Sequence, residues 1–267
     1  MAVKTKISPT FPSSLFKYGS LEHFGRTLSD RSLHFQNLSA YNDVHETEFT
    51  VVHHFRSEEE RNESLSEITP FSQQNEIVSD YLNSLLATCF SSTPYSNLMW
   101  SHYGDNHSGV CYVFDEDPFE GKLFGGPVVY SNSTPEVEVF HNHTTAGMTR
   151  ALSLNVVLTK SLEWAYEREF RWLYEKPEKV QLFRPDALKA VILGRRVGGK
   201  ELQKVQEALA SYREEHGHDV ELLFTLREVG SFGLGITDDY DHRMMNESAL
   251  KPRTRIVPDM DASSTEP

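Results

Sequence analysis

Two short stretches of this chain hold residue types that a hydrophobic core does not call for. The first runs Leu98-Met99-Trp100-Ser101-His102-Tyr103-Gly104-Asp105-Asn106-His107-Ser108-Gly109 and leads straight into the apolar run Val110-Cys111-Tyr112-Val113-Phe114. The second is Trp164-Ala165-Tyr166-Glu167-Arg168-Glu169-Phe170-Arg171-Trp172. Indole, imidazole, phenol and carboxylate groups each bring polar atoms that burial must satisfy, so their crowding points to a site. In the first stretch Trp100 and Tyr103 stand three apart and share one helical face. They read either as a stacking platform for a planar ligand, such as a base or a nicotinamide ring, or as core aromatics with His102 exposed. In the second, strand alternation sets Glu167, Glu169 and Arg171 on one face and Tyr166, Arg168, Phe170 and Trp172 on the other. Two carboxylates on one side repel each other unless a cation or ligand lies between them, and Arg171 is the local cation. The pair reads either as a catalytic carboxylate stabilising positive charge on a substrate, with a cation nearby for anionic groups, or as a solvated charge ladder on an edge strand.

Weaker motifs add little. His102, His107 and Asp105 match no standard metal-ligand spacing, and no metal is expected. His141-Asn142-His143 carries no geometry of its own. Gly230, Gly233 and Gly235 resemble a phosphate loop, but no amphipathic helix follows, so the dinucleotide fingerprint is not met. Arg195-Arg196 after a strand reads as a phosphate contact or, more simply, as a solvated turn. The sequence has no Gly-x-Ser-x-Gly elbow, no Walker loop and no zinc spacing.

These residues need elements to position them. Leu15 to Tyr18 reads as a strand, Leu21 to Leu28 as a helix capped by Ser20, and Ser32 to Phe35 as a strand. Val51 to Arg56 reads as the start of a helix, and the polar 57–74 as a mobile surface segment. Ile77 to Leu86 reads as an amphipathic helix leading into a strand at Ala87 to Phe90. Further strands are expected at Val110 to Phe114, Pro127 to Tyr130, Tyr166 to Tyr174, Ala190 to Leu193 and Asp219 to Arg227. Helices are expected in the second half of Glu136 to Lys160 and from Glu201 to about Glu215, where Leu202, Val205, Leu209 and Tyr212 recur at helical spacing. No internal repeat or linker divides the body, so the expected organisation is a flexible arm over 1–14, a single α+β domain over 15–236 and a disordered tail over 237–267.

Composition bounds the function. The chain has 267 residues, 38% hydrophobic and 24% charged, with a formal net charge of −13, which fits an ordinary soluble globular protein. That charge repels nucleic acid at long range, so bulk electrostatic binding of DNA or RNA is disfavoured. Cys89 and Cys111 are too few for a disulfide scaffold and read as reduced core thiols. Neither a signal peptide nor a run approaching ~18 apolar residues is present, and the expectation is a cytoplasmic protein with no membrane partner.

Several ordered motifs resemble the bacterial domain-of-unknown-function family 2971. They are Leu15-Phe16-Lys17-Tyr18, Asn42-Asp43 with Glu46, Cys89-Phe90-Ser91, Leu98-Met99-Trp100-Ser101-His102-Tyr103, His107 with Gly109, Trp164-x-Tyr166-Glu167-x-Glu169-x-Arg171, and Val191-Ile192-Leu193-Gly194. The resemblance spans roughly Leu15 to Phe232. It departs after Asn42-Asp43, where Val44-His45 stand in place of the usual proline and apolar residue. The layout in turn looks like a divergent ADP-ribosyltransferase fold, which implies a split, mostly antiparallel β-core with flanking helices. Carried over, that likeness implies Lys17-Tyr18 as the first site element, Trp100 and Tyr103 as the aromatic one, and Glu169 or Glu167 as the catalytic glutamate. It further implies NAD as co-substrate, with Lys17, in place of the usual histidine, or Arg171 meeting the pyrophosphate and Asn42 and His102 among the binding residues. The rival readings are a non-catalytic interaction module of a bacterial defence or toxin system and a nucleotide- or RNA-processing hydrolase. The macromolecular target is left open.

Overall fold

A computed structural model describes residues 11–66, 76, 78–140, 154–228 and 230–248. In chain order its strands are β1 Ser14–Gly19, β2 Ser32–His34, β3 Gln36–Asn37, β4 Thr50–His54, β5 Leu86–Ser91, β6 Val110–Asp115, β7 Phe124–Pro127, β8 Val129–Ser131, β9 Glu136–Phe140, β10 Thr159–Ser161, β11 Glu169–Tyr174, β12 Val180–Leu182, β13 Leu188–Leu193, β14 Glu221–Arg227 and β15 Leu234–Thr237. Helices include Phe24–Ser29, Glu58–Ser66, Asn97–His102, Gly199–His216 and Tyr240–Ser248.

Nine strands form the main sheet in the order β15-β14-β13-β6-β1-β5-β11-β7, with β3 added beside β5. Its pairings are antiparallel except β13 with β14, which the helix Gly199–His216 connects, as a parallel pair requires. That helix buries Leu202, Val205 and Tyr212 and ends at Gly217 in the left-handed region, at φ 65°, where glycine has no Cβ penalty. The unbroken apolar run Val110 to Phe114 becomes the central strand β6, buried on both faces. Its alternate residues divide between two cores: Val110, Tyr112 and Phe114 pack with the helix side, and Cys111 and Val113 pack with Phe16, Tyr18, Met99 and Trp100.

One irregularity decides where a site can lie. β1 pairs with β6 along its whole length, from Ser14 opposite Asp115 to Gly19 opposite Val110. On its other side it pairs with β5 only at Phe16 opposite Ser91. The sheet therefore parts between β1 and β5, and the backbone on both sides of the gap opens onto side chains from elsewhere.

Three expectations need correction. Val51 to Arg56 is not helical: Thr50, Val51 and Val52 are β-branched, and β4 pairs in parallel with β9. Its partner Glu136 to Phe140 is a strand, 141–153 lies outside the described residues, and 154–157 is helical, within the second half of Glu136 to Lys160 where a helix is expected. Tyr166 to Tyr174 is not one strand: Leu162–Glu167 is a 3-10 helix, Arg168 is left-handed at φ 46°, and β11 begins at Glu169. Nor does the body end at 236. Thr237 belongs to β15, and the helix Tyr240–Ser248 is anchored by Arg243, 2% exposed. Its guanidinium donates to the carbonyls of Gly194 (3.2 Å), Arg195 (2.8 Å) and Val197 (2.9 Å). Residues 249–267 lie outside the described residues, as do 1–10 of the expected arm and 67–74 of the expected mobile segment. Phe11 already packs its ring edge-on against Phe16 at 5.5 Å. Among the described residues no helix is long and apolar enough to cross a membrane.

Candidate active site

The parting of β1 from β5 opens into a cavity of about 520 Å³, within the range of small-molecule sites. Its lining includes Lys17 and Tyr18 from β1, Cys89 and Ser91 from β5, Asn42, and Met99, His102 and Tyr103 from the helix Asn97–His102 and the residue after it. Lys160 of β10, Glu167 of the 3-10 helix and Glu169 of β11 complete the polar wall.

Each element reaches the cavity for a local reason. The helix Asn97–His102 starts where the Ser96 hydroxyl accepts the Met99 N–H at 3.3 Å, an N-cap contact. Its other end is held by a tight turn through Asp105, Asn106 and His107, all left-handed at φ 49°, 50° and 67°. That turn packs closely: a Cβ on Gly109 would run into the carbonyl oxygens of Gly19 and Gly104, and one on Gly194 into that of His107. The second half of the Leu98–Gly109 stretch thus ties the helix to β1, β6 and β13, and only its first half reaches the site. On the other wall, the left-handed Arg168 reverses the backbone between Glu167 and Glu169. Both carboxylates reach one cavity through this kink rather than through strand alternation.

Five buried charges run through that wall as one chain. Lys160 Nζ donates to Glu167 Oε2 at 2.6 Å and lies 3.4 Å from Glu169 Oε2. Arg171 Nε donates to Glu169 Oε1 at 2.7 Å, and its two Nη atoms hold Glu46 at 2.5 and 3.0 Å. Arg171 Nη1 also donates to the Val157 carbonyl at 2.6 Å. Burial alone would raise the Glu169 carboxyl, but the adjoining Arg171 guanidinium, with Lys160, outweighs it and holds the group down at about 2. Glu46 shows the opposite balance, its carboxyl raised by burial in spite of Arg171.

Towards the cavity, the Tyr103 hydroxyl donates to Glu167 Oε1 at 2.5 Å and accepts from Asn42 Nδ2 at 2.8 Å. Burial and Glu167 both raise the phenol above its ordinary range, so it stays protonated. Across the gap, Lys17 Nζ donates to Thr88 Oγ1 at 3.0 Å and to the Cys89 carbonyl at 2.9 Å. Burial pushes its ammonium below the ordinary lysine value, with Glu169 pulling the other way. The Cys89 thiol is raised by burial and by Glu169 and remains a thiol. Three carboxyl groups thus meet Lys160 and Arg171 in the wall, and Lys17 is the third basic group at the site.

Lys17, Tyr18, Asn42, His102, Tyr103, Glu167 and Glu169 all line this cavity. Two expected site residues do not. Trp100 is completely buried, donates its indole N–H to the Pro94 carbonyl at 2.9 Å and takes the edge of Tyr18 at 5.2 Å. It is a core residue with no face open for a ligand, because it lies one position off the helix face that carries Met99 and Tyr103. Arg171 is also completely buried, and its donors are spent on Glu169, Glu46 and Val157, so it cannot reach a pyrophosphate. The edge-strand reading is corrected too, since β11 lies between β5 and β7.

Residues 99–172 match the model of the family described as protein of unknown function, DUF2971. The family resemblance is borne out over that span. The matched segment supplies His102, Tyr103, Lys160, Glu167 and Glu169 of the cavity wall, whereas Lys17, Asn42 and the buried Glu46 come from the chain before it. No curated protein and no solved structure matches the chain significantly.

Lys160 and the bridging role of Glu46 were missed from sequence. Lys160 sits in β10, a three-residue strand with no periodic pattern. The signal available was electrostatic: Arg171 alone could not neutralise two neighbouring carboxylates. Among the described residues no group of three His, Cys, Asp or Glu is placed to hold a metal ion.

Proposed function

We propose that the cavity is the active site of an NAD-dependent ADP-ribosyltransferase-like enzyme that cleaves the nicotinamide–ribose bond. The observation that carries this reading is the meeting of Lys17, Tyr103, Glu167 and Glu169, from three separate parts of the chain, around one cavity. Breaking the C–N bond sends its electron pair to nicotinamide and leaves a ribosyl oxocarbenium ion, which a neighbouring carboxylate stabilises. A nucleophile on the acceptor then adds to the ribose carbon and loses its proton.

Glu167 is the better candidate for that carboxylate. Glu169 has both oxygens engaged by Arg171, with Lys160 beside it, so its negative charge is already matched. Glu167 has Lys160 on one oxygen and the neutral Tyr103 hydroxyl on the other. Lys17, facing the cavity from β1, suits a phosphate or the ribose hydroxyls.

The test is incubation of the purified wild type, Glu167→Gln and Glu169→Gln with labelled NAD and cell extract, following free nicotinamide and label on macromolecules. The expected result is label transfer by the wild type and a loss of roughly 10²–10³-fold in Glu167→Gln. Absence of NAD turnover under every condition would overturn the reading. One observation favours a rival: the closed chain of buried ion pairs from Glu46 to Glu167 is also what a non-catalytic module would use to fix its fold. On that reading Glu167→Gln changes stability alone, and the wild type leaves NAD intact.

A further inference from the structure

With Trp100 in the core, the aromatic surface available to a ligand lies elsewhere. The His102 ring lies 6.1 Å from Tyr166, tilted by 42°, and Tyr166 lies 6.1 Å from Trp164, tilted by 37°. The Trp164 ring carries the Lys160 ammonium over one face at 4.7 Å. His102 and Lys160 both line the cavity, so Tyr166 and Trp164 sit between two residues of its wall. His102 is exposed, and Tyr166 and Trp164 are half-buried. Rings packed for the core are sealed on both faces, as Trp100 is. These are tilted to one another and not fully buried, and no hydrogen bond among the described residues engages the Tyr166 hydroxyl or the Trp164 indole N–H.

The rim therefore offers partly exposed aromatic rings and unspent polar edges beside a pocket whose interior is polar and charged. A heteroaromatic base is the ligand group that uses both, by stacking and by hydrogen bonding at its edge. An apolar side chain would leave the polar edges unpaired. A polyanion is disfavoured by the chain's net charge of −13, so the base belongs to a small molecule.

We propose that His102, Tyr166 and Trp164 form the seat of the adenine base of a nucleotide whose ribose and phosphate enter the cavity. This rests on the reading of the cavity as an NAD site and deepens it: the base at the far end of the co-substrate is held at the rim, away from Glu167.

Trp164 makes this measurable, because Trp100 and Trp172 are buried while Trp164 is half-exposed. Intrinsic fluorescence of the full chain is titrated with AMP and with ribose 5-phosphate, which lacks the base, and the same probes are applied to Tyr166→Ala, His102→Ala and Trp164→Phe. The expected result is saturable quenching by AMP and none by ribose 5-phosphate. The quenching is lost in Trp164→Phe, and AMP affinity, followed there by calorimetry, falls roughly five- to a hundredfold in Tyr166→Ala. Trp164→Phe keeps a ring in place and guards against a misfolded alanine variant. The inference is overturned if AMP binds no more tightly than ribose 5-phosphate, or if Tyr166→Ala and Trp164→Phe both bind AMP as the wild type does. AMP binding at the rim without nicotinamide release would sink the proposed reaction and leave the base seat standing. Nicotinamide release with unchanged AMP affinity in the rim variants would do the reverse.

Discussion

Glu169 owes its charge to its neighbours. At 5% exposure, its carboxyl is pushed up by burial, but Arg171 and Lys160 outweigh this and its pKa lies at about 2, against an ordinary value of 4.5. A carboxyl depressed in the folded state stabilises that state fully above its unfolded pKa and loses the contribution as pH falls through the folded one. Glu46 acts in the opposite sense, since its raised pKa makes ionisation costly as pH rises. The urea-unfolding difference between wild type and Glu169→Gln is therefore expected to be full at about pH 6 and to shrink between about pH 5 and 2. A difference independent of pH would contradict this account of Glu169. Arg171 is the more demanding position, because removing it leaves Glu46 and Glu169 buried beside Lys160 alone. Arg171→Met is expected to cost roughly 3–5 kcal/mol in urea denaturation, and a change within error would mean that the ion-pair chain does not hold the wall.

At the scale of elements, the join between the 3-10 helix Leu162–Glu167 and β11 sets the spacing of the two carboxylates. Arg168 sits there at φ 46°, ψ 52°, exposed to solvent, with its carbonyl accepting the Ser92 N–H at 2.9 Å. Glycine adopts that conformation freely and a β-branched residue does not. Arg168→Gly is expected to keep stability and nicotinamide release near wild type. Arg168→Val is expected to cost about 1–2 kcal/mol and to lower nicotinamide release, since relaxation of the strain moves Glu167 relative to Glu169. Equal behaviour of the two variants would show that the kink does not position the glutamates. This kink was invisible in the sequence, where Glu167-Arg168-Glu169-Phe170-Arg171 alternates as a strand would. The strands Val110 to Phe114 and Ala190 to Leu193 were legible because a run buried on both faces needs no further information. β4 and the helix Tyr240–Ser248 were not, because each depends on a partner distant in sequence.

At the scale of the whole molecule, the sheet is divided at β1 and β5 and closed at its other end by the helix Tyr240–Ser248. Arg243 caps three carbonyls that follow β13 and lies over the rings of Phe224 and Tyr240 at 5.6 and 5.7 Å. Arg243→Ala is expected to lower stability by roughly 1–3 kcal/mol without changing AMP affinity, because this end of the sheet lies away from the cavity wall. A loss of AMP binding alongside a native melting temperature would instead tie the helix to the site.

By itself the sequence determined which residue types gather, that Tyr103, Glu167 and Glu169 belong to polar clusters, and that residues 99–172 carry the family pattern. Local spacing suffices for that, because it decides which neighbours share a face. The tertiary structure alone decided that Trp100 is core, that Arg171 is spent inside the wall and that Lys160 stands between the carboxylates. It also decided that Lys17 faces them across the opening in the sheet. Neutralising buried charge requires contacts of about 3 Å between groups far apart in sequence, and periodicity holds no record of those distances.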